Sequence, residues 1–507
     1  MIKKDINYIV VQAGGKGTRL EHLTTNKPKA LVPIDNRPML FHLFEKFPEK
    51  NFIIIADYKA DVMEKYLFSF ANVKYLIVET EGKKGTCSGI KSAMEKIPAN
   101  EAFMLIWSDL ILPEDFEMPE TVNNYIGISK NFKCRWSYKS GKFEEISSET
   151  NGVAGLFILE HKSILDNVPM EGELVRWFSE QNSIDWHELS LYKTKEYGIL
   201  SEYQKHCREK IENRCRPFNR LIVEKNTITK EPLDSQGISL SVREKNWYKF
   251  VQKQGYKKIP KIFSYEPFKL ERIQGKNIFE YELTLEEKKS ILIELVKDLK
   301  HLHALKTTEA DYFSIHEAYY NKTLLRLNKV RNLIPLTDNK YIYINGKKCR
   351  NIFFFYDLLN FRINKYKCPY FSVIHGDNTF SNVMLNEDMH PVFIDPRGYF
   401  GFTEIMGDPA YDWSKLYYSI VGNYDKFNLK KFRLKIEDSS VEIKIESNGW
   451  EELEALFFEL LQNEIKGEDI KLIHAIIWLS LTTYAWDDYD SICGAFYNGL
   501  YYLEDVL

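Results

Sequence analysis

The chain has 507 residues, too many for one hydrophobic core, and its length suggests about two to four domains. Hydrophobic residues at 44% and charged residues at 28% are ordinary for a globular enzyme. The formal net charge is −3 with basic and acidic residues mixed along the chain, which excludes the clustered Lys and Arg of a nucleic-acid footprint.

The seven cysteines, Cys87, Cys134, Cys207, Cys215, Cys349, Cys368 and Cys493, are scattered and lack metal-ligand spacing. They read as reduced thiols of a cytoplasmic protein. The polar start Met1–Asp5 and the short apolar run Tyr8–Val11 make neither a signal core nor a membrane span.

The first 200 residues alternate strand-like runs, at 8–11, 52–56, 74–78 and 103–107, with helical patterns at 38–47, 60–70 and 89–97. Strand, turn and helix in repeated order predict a parallel, doubly wound α/β sheet, with a further strand at 152–159. The first strand runs into Gln12-Ala13-Gly14-Gly15-Lys16-Gly17-Thr18-Arg19. Small residues there let the backbone N–H groups approach a triphosphate, and Lys16 and Arg19 add positive charge. A second basic element, Lys27-Pro28-Lys29, follows. Fixed cations such as Lys29 and Arg19 aimed at an α–β phosphate bond would lower the barrier to its cleavage.

This region, about residues 6–200, resembles the nucleotidyltransferases that make nucleotide-sugars, phosphocholine-derived and related activated compounds. The resemblance rests on the glycine loop, on Lys27-Pro28-Lys29, on Gly85-Thr86 before a helix and on Ser108-Asp109 after a strand. It implies a Rossmann-like fold, Ala13 to Thr18, Gly85 and Thr86 as nucleotide contacts, and Asp109 as a Mg²⁺ ligand. Such enzymes have a second metal-binding aspartate late in the domain. The corresponding stretch here, Tyr192 to Tyr197, has none, which leaves Glu196, another acid or altered metal binding as alternatives.

A charged helical stretch at 203–216, ended by Pro217, sets the expected boundary between a first domain at 1–205 and a second at 218–507. Runs at 220–224 and 227–230 read as a hairpin, and 241–253 as an amphipathic helix. From 283 to 305 the apolar residues Ile291, Leu292, Leu295, Leu299, Leu302 and Leu305 keep helical spacing. Alternating segments at 341–352 and 434–445 read as inserted hairpins.

The most specific constellation is Ile374-His375-Gly376-Asp377-Asn378-Thr379-Phe380-Ser381-Asn382, followed by Ile394-Asp395-Pro396-Arg397. Phosphoryl transfer needs an acid that orients the attacking hydroxyl and oxygen ligands that hold Mg²⁺ on the triphosphate. Asp377 suits the first role, and Asn382 and Asp395 the second. Residues 218–507 resemble the aminoglycoside phosphotransferase and choline kinase superfamily, which shares the protein-kinase fold: a small lobe at about 218–275 and a helical lobe at 276–507. The resemblance implies that Lys230 pairs with ATP phosphates, that Glu244 holds it, with Lys225 as rival, and that 270–273 is the adenine hinge. Asp408 and Asp412 read as supports for the catalytic loop.

Kinase and nucleotidyltransferase on one chain imply consecutive steps. A small-molecule hydroxyl is phosphorylated with ATP, then joined to a nucleotidyl group from a second NTP (CTP, GTP or UTP), yielding a precursor for bacterial cell-surface polysaccharide. Arg397, where choline kinases tend to have aromatic and acidic residues, tilts the acceptor towards a sugar or polyol, unless it is tied to a neighbouring acid. Choline or ethanolamine activation, a regulatory nucleotide-binding half and antibiotic modification stay as alternatives. For the last, Glu451–Glu454 or Asp487–Asp490 would supply an acidic acceptor cleft. Only small-molecule partners are expected, with oligomeric state left open.

Overall fold

The computed structural model describes residues 5–80, 82–120, 123–181, 183–209, 219–462 and 464–507. The chain forms two units, Met1–Ile211 with Ala485–Asp490, and Glu212–Tyr484 with Ser491–Leu507. The expected helix end at Arg216, Pro217 and Cys215 lie outside the described residues; the helix itself spans Leu200–Glu209.

In the first unit, Tyr8–Gln12 lies between Asn51–Ala56 and Phe103–Trp107, parallel to both, and Lys74–Glu79 extends the sheet beyond Asn51–Ala56. The runs Phe52-Ile53-Ile54-Ile55 and Phe103-Met104-Leu105-Ile106 are buried on both faces, which is why they are continuously apolar. Gly152–Leu159 adds to Phe103–Trp107 antiparallel, so the sheet is mixed. Gly155 in that strand has φ +81°, and a Cβ there would lie 2.0 Å from the Trp107 ring. Helices Met39–Lys46, Ala60–Phe70 and Ile90–Met94 follow the successive strands, the last shorter than the sequence pattern.

In the second unit, four antiparallel strands run in the order Asn219–Val223, Thr227–Pro232, Phe268–Glu271, Ile262–Tyr265. The helix Ser235–Lys253 starts earlier than its apolar pattern because Asp234 caps it, accepting from Gly237 N. Leu285–Ala304 begins with a capping box of Thr284 and Glu287 and buries Ile291, Leu292, Leu295, Leu299 and Leu302. With Trp247, Phe380, Phe393 and Trp413 they form the core beneath the segment 374–382. The two inserted hairpins, Tyr341–Ile344 with Lys347–Arg350 and Phe432–Ile436 with Ser440–Ile445, join through Tyr343–Ser440 and Ile344–Val441 into one sheet. Among the described residues no helix is long and apolar enough to cross a membrane.

Candidate functional sites

In the first unit the parallel strands fix where chemistry emerges. Gln12 is in register with Trp107, so the loop after Gln12 and the Ser108-Asp109 pair leave the same sheet edge together. This is a switch point, with strands added on opposite sides of the central one. Gly15, Lys16, Thr18 and Arg19 are exposed, while Ala13 is held by its N–H donating to Ile55 O at 3.0 Å. Gly17 has φ +65°, and its missing Cβ leaves room for the Lys29 stem 3.0 Å away. Gly85, with φ +93°, packs on Gly172 O, and Thr86 Oγ1 accepts from Leu174 N at 2.8 Å.

Asp109 is 7% exposed and ion-paired with Lys29. Lys195–Glu196 pairs with Leu110–Ile111, which brings Glu196 beside Asp109. Burial first, then the Asp109 charge, pushes the Glu196 carboxyl up to about 7, and it shares a hydrogen bond with Asp109. Arg19 and Glu196 both border Gly198. Arg19, Lys29, Asp109 and Glu196 therefore form one cluster, and of the alternatives for the missing aspartate the fold brings Glu196 to it.

Lys27 is not part of that cluster. It is 1% exposed and pairs with Asp488 at 2.9 Å and with Asp490, inside the same unit. Burial pulls its pKa down, but the two carboxylates more than offset this and hold it above the usual lysine range. Of the basic element Lys27-Pro28-Lys29 only Lys29 reaches the cluster, because the Lys27 ammonium is paired with two buried acids. The same pairing removes Asp488 and Asp490 as walls of an acidic acceptor cleft.

In the second unit the strand Phe371–Val373 leads into His375 and Gly376, the latter at φ +78°. The buried Asp412 carboxylate accepts from His375 N at 2.8 Å and Gly376 N at 2.7 Å, while Asp408 caps its helix by accepting from Ala410 N. Asn382 Nδ2 donates to Asp377 O at 2.7 Å and to Asp377 Oδ2 at 3.0 Å. Ile394 N donates to Asn382 O at 3.0 Å, so the Asp395 segment is tied to Asn382. Lys230 pairs with Glu244 at 2.6 Å and with Asp395. Burial lowers the Lys230 pKa, and Asp395 and Glu244 more than reverse it. The fold thus brings Lys230, not the rival Lys225, to Asp395, together with Asp377 and Asn382. Residues 270–273 end one strand and lead out of the sheet; Arg272 N donates to Asn226 O at 2.9 Å.

A cleft of about 600 Å³, open mouth included, lies in this unit and is lined by Lys322, Arg326, Arg397 and Lys415 with five tyrosines. Lys415 connects it to the loop of Asp377, with Nζ 2.9 Å from Asp377 Oδ1. Arg397 donates to Tyr411 Oη at 2.6 Å and Tyr399 Oη at 3.3 Å. Among the described residues no carboxylate lies within ion-pair distance of it, so the neighbouring-acid alternative falls. Lys322, Arg326 and Lys415 escaped sequence reading. Only the i, i+4 spacing of Lys322 and Arg326 on one helix hinted at a shared face. Among the described residues no three of His, Cys, Asp and Glu gather as a metal cluster.

Comparison with known proteins agrees with the first unit. Residues 9–117 match the family model of the MobA-like NTP transferase domain. The chain is 31% identical over 110 residues to the bifunctional protein GlmU of Methanocaldococcus jannaschii, covering 21% of this chain and 26% of that one. It is 31% identical over 106 residues to the UTP–glucose-1-phosphate uridylyltransferase AglF of Haloferax volcanii, covering 20% and 43%. It is 24% identical over 170 residues to the glucose-1-phosphate cytidylyltransferase of Salmonella typhi, covering 28% and 65%. The chain spans about a quarter of the length of the first curated relative, and each match covers less than a third of this chain. The N-terminal α/β unit carries an NTP-transferase-type domain.

Proposed function

We propose that the chain is a bifunctional enzyme that phosphorylates a small-molecule hydroxyl with ATP and then transfers a nucleotidyl group from a second NTP to the product, releasing pyrophosphate. The NDP-activated compound would serve cell-surface polysaccharide assembly. The observation that carries the reading is that one chain holds two separate phosphate-chemistry constellations: Arg19, Lys29, Asp109 and Glu196 in one unit, Lys230, Asp377, Asn382 and Asp395 in the other.

In the kinase step the acceptor oxygen attacks the γ-phosphorus, an O–P bond forms, the bond to the ADP oxygen breaks, and the hydroxyl proton passes to Asp377. Asn382 holds Asp377 in orientation and Lys230 neutralises phosphate charge. In the transferase step the acceptor phosphate oxygen attacks the α-phosphorus and pyrophosphate leaves, with Lys29 and Arg19 facing the developing charge. Hard oxygen donors suit Mg²⁺, which keeps waters and substrate phosphates in its shell. Asp109 with Glu196, crowded enough that one keeps a proton, would hold it in the first unit, and Asn382 with Asp395 in the second. Bound there, the ion would neutralise the triphosphate.

The test is incubation with ATP, Mg²⁺, all four NTPs and a panel of sugars, polyols and amino alcohols, read by mass spectrometry for an NDP product. Asp377→Asn should cut acceptor phosphorylation by roughly 10²–10⁴-fold while sparing pyrophosphate release from a pre-phosphorylated acceptor. Asp109→Ala and Lys29→Ala should do the reverse. Pyrophosphate release unchanged in both would refute the assignment of these residues to the transferase step, and no release by the unmutated protein from any pre-phosphorylated acceptor would leave a regulatory nucleotide-binding role.

A further inference from the structure

We propose that the acceptor of the kinase-type site carries an anionic group, a carboxylate or a phosphate, seated in the cleft of Lys322, Arg326 and Arg397 while its hydroxyl faces Asp377. This rests on the kinase reading and deepens it.

Four basic side chains line one cleft, and of these only Lys415 has a carboxylate partner, Asp377, among the described residues. Arg326 is oriented by donating to Ser480 O at 2.9 Å and Ser480 Oγ at 2.6 Å, and Arg397 by two tyrosine hydroxyls. The guanidinium groups are therefore fixed with no carboxylate among the described residues within ion-pair distance, Asp377 acting on Arg397 only from farther off, which leaves both forks open to an anion. Clustered cations repel one another, and an anion relieves that repulsion. Lys322 registers it: burial first, then Arg397, Arg326 and Lys415, lower its pKa to about 6.

The tyrosines argue the same way. A quaternary ammonium needs aromatic faces open to it. Here Arg397 lies 4.8 Å and Lys322 5.6 Å from the Tyr399 ring, Arg326 4.3 Å from Tyr484, and Lys415 5.5 Å from Tyr418. The rings already carry cations of the protein. Choline and polycationic antibiotics are disfavoured on both counts.

The experiment measures ATP-dependent phosphorylation by the full chain of D-glycerate and sn-glycerol 3-phosphate against glycerol and choline. The expected result is a kcat/KM at least about tenfold higher for the anionic acceptors. Lys322→Met and Arg326→Met should raise KM for the anionic acceptors at least about tenfold while leaving KM for ATP unchanged. A preference for glycerol or choline, or variants that affect every acceptor equally, overturns the proposal. If no acceptor is phosphorylated, the kinase reading fails instead, and calorimetry with glycerol 3-phosphate decides the anion site. Binding weakened at least about tenfold in Lys322→Met upholds it, and no binding to the unmutated protein, or binding unchanged in the variant, overturns it.

Discussion

Replacing Asp412 with Ala should release the loop that carries Asp377 and Asn382. The carboxylate is fully buried and accepts from His375 N and Gly376 N, and His303 Nε2 lies 3.1 Å from Oδ2. Alanine leaves two buried backbone donors with no acceptor, at about 1–3 kcal/mol each, so the local cost is about 2–6 kcal/mol. Asparagine keeps one acceptor oxygen and should lose roughly half of that. Hydrogen exchange of peptides covering 371–384 reads the loop directly. About 3 kcal/mol corresponds to exchange faster by roughly 10²-fold at the His375 and Gly376 amides. The affinity for ATP should fall in parallel, because Asp377 and Asn382 ride on the same loop. Exchange in Asp412→Ala within about threefold of the unmutated protein would refute the bracing role.

Lys27→Met strands the Asp488 and Asp490 carboxylates in a buried site, a loss of about 3–5 kcal/mol that lowers the melting temperature of that unit by roughly 6–20 °C. Burial, ahead of the opposing Lys27 charge, already raises the Asp490 pKa, so in the variant the acids take up protons as pH falls. The deficit should therefore shrink from pH 8 to pH 5, and a deficit independent of pH contradicts the pairing. The native lysine's own contribution, with its pKa raised on folding, persists through neutral pH and is lost only in strong alkali. Lys322, neutral above about pH 6 beneath Arg397, Arg326 and Lys415 with Glu317 nearby, must gain a proton when an anion binds. D-glycerate, whose carboxylate stays charged across the range, should bind more weakly as pH rises from 6 to 8 and take up protons in calorimetry; Lys322→Met should bind with no such dependence. Gly155→Ala puts a Cβ against the Trp107 ring at positive φ and should destabilise the first unit by about 2–4 kcal/mol in thermal unfolding.

Three of the four parallel strands of the first unit were legible because strands buried on both faces read as unbroken apolar runs, whereas Lys74–Glu79 is mostly exposed or half-buried, and the glycine loop was legible because backbone that meets phosphate leaves few choices of residue. The Asp377, Asn382 and Asp395 spacing was legible because one loop and one adjacent strand turn carry all three. What escaped were pairings made across long stretches of chain. Glu196 was one of several candidates in the sequence, and it meets Asp109 because two short strands, 85 residues apart, pair with each other. Lys27 belongs to the same basic element as Lys29, yet segment 485–490 supplies two acids that neutralise it. The two inserted hairpins read as separate until a single parallel contact joined them. The sequence by itself determined which groups can handle phosphate, since residue type and local spacing carry that chemistry. Tertiary structure decided which charges remain available, leaving the half-buried Arg397, Lys322 and Arg326 lining an open cleft and Lys27 buried, because charge compensation depends on neighbours in space.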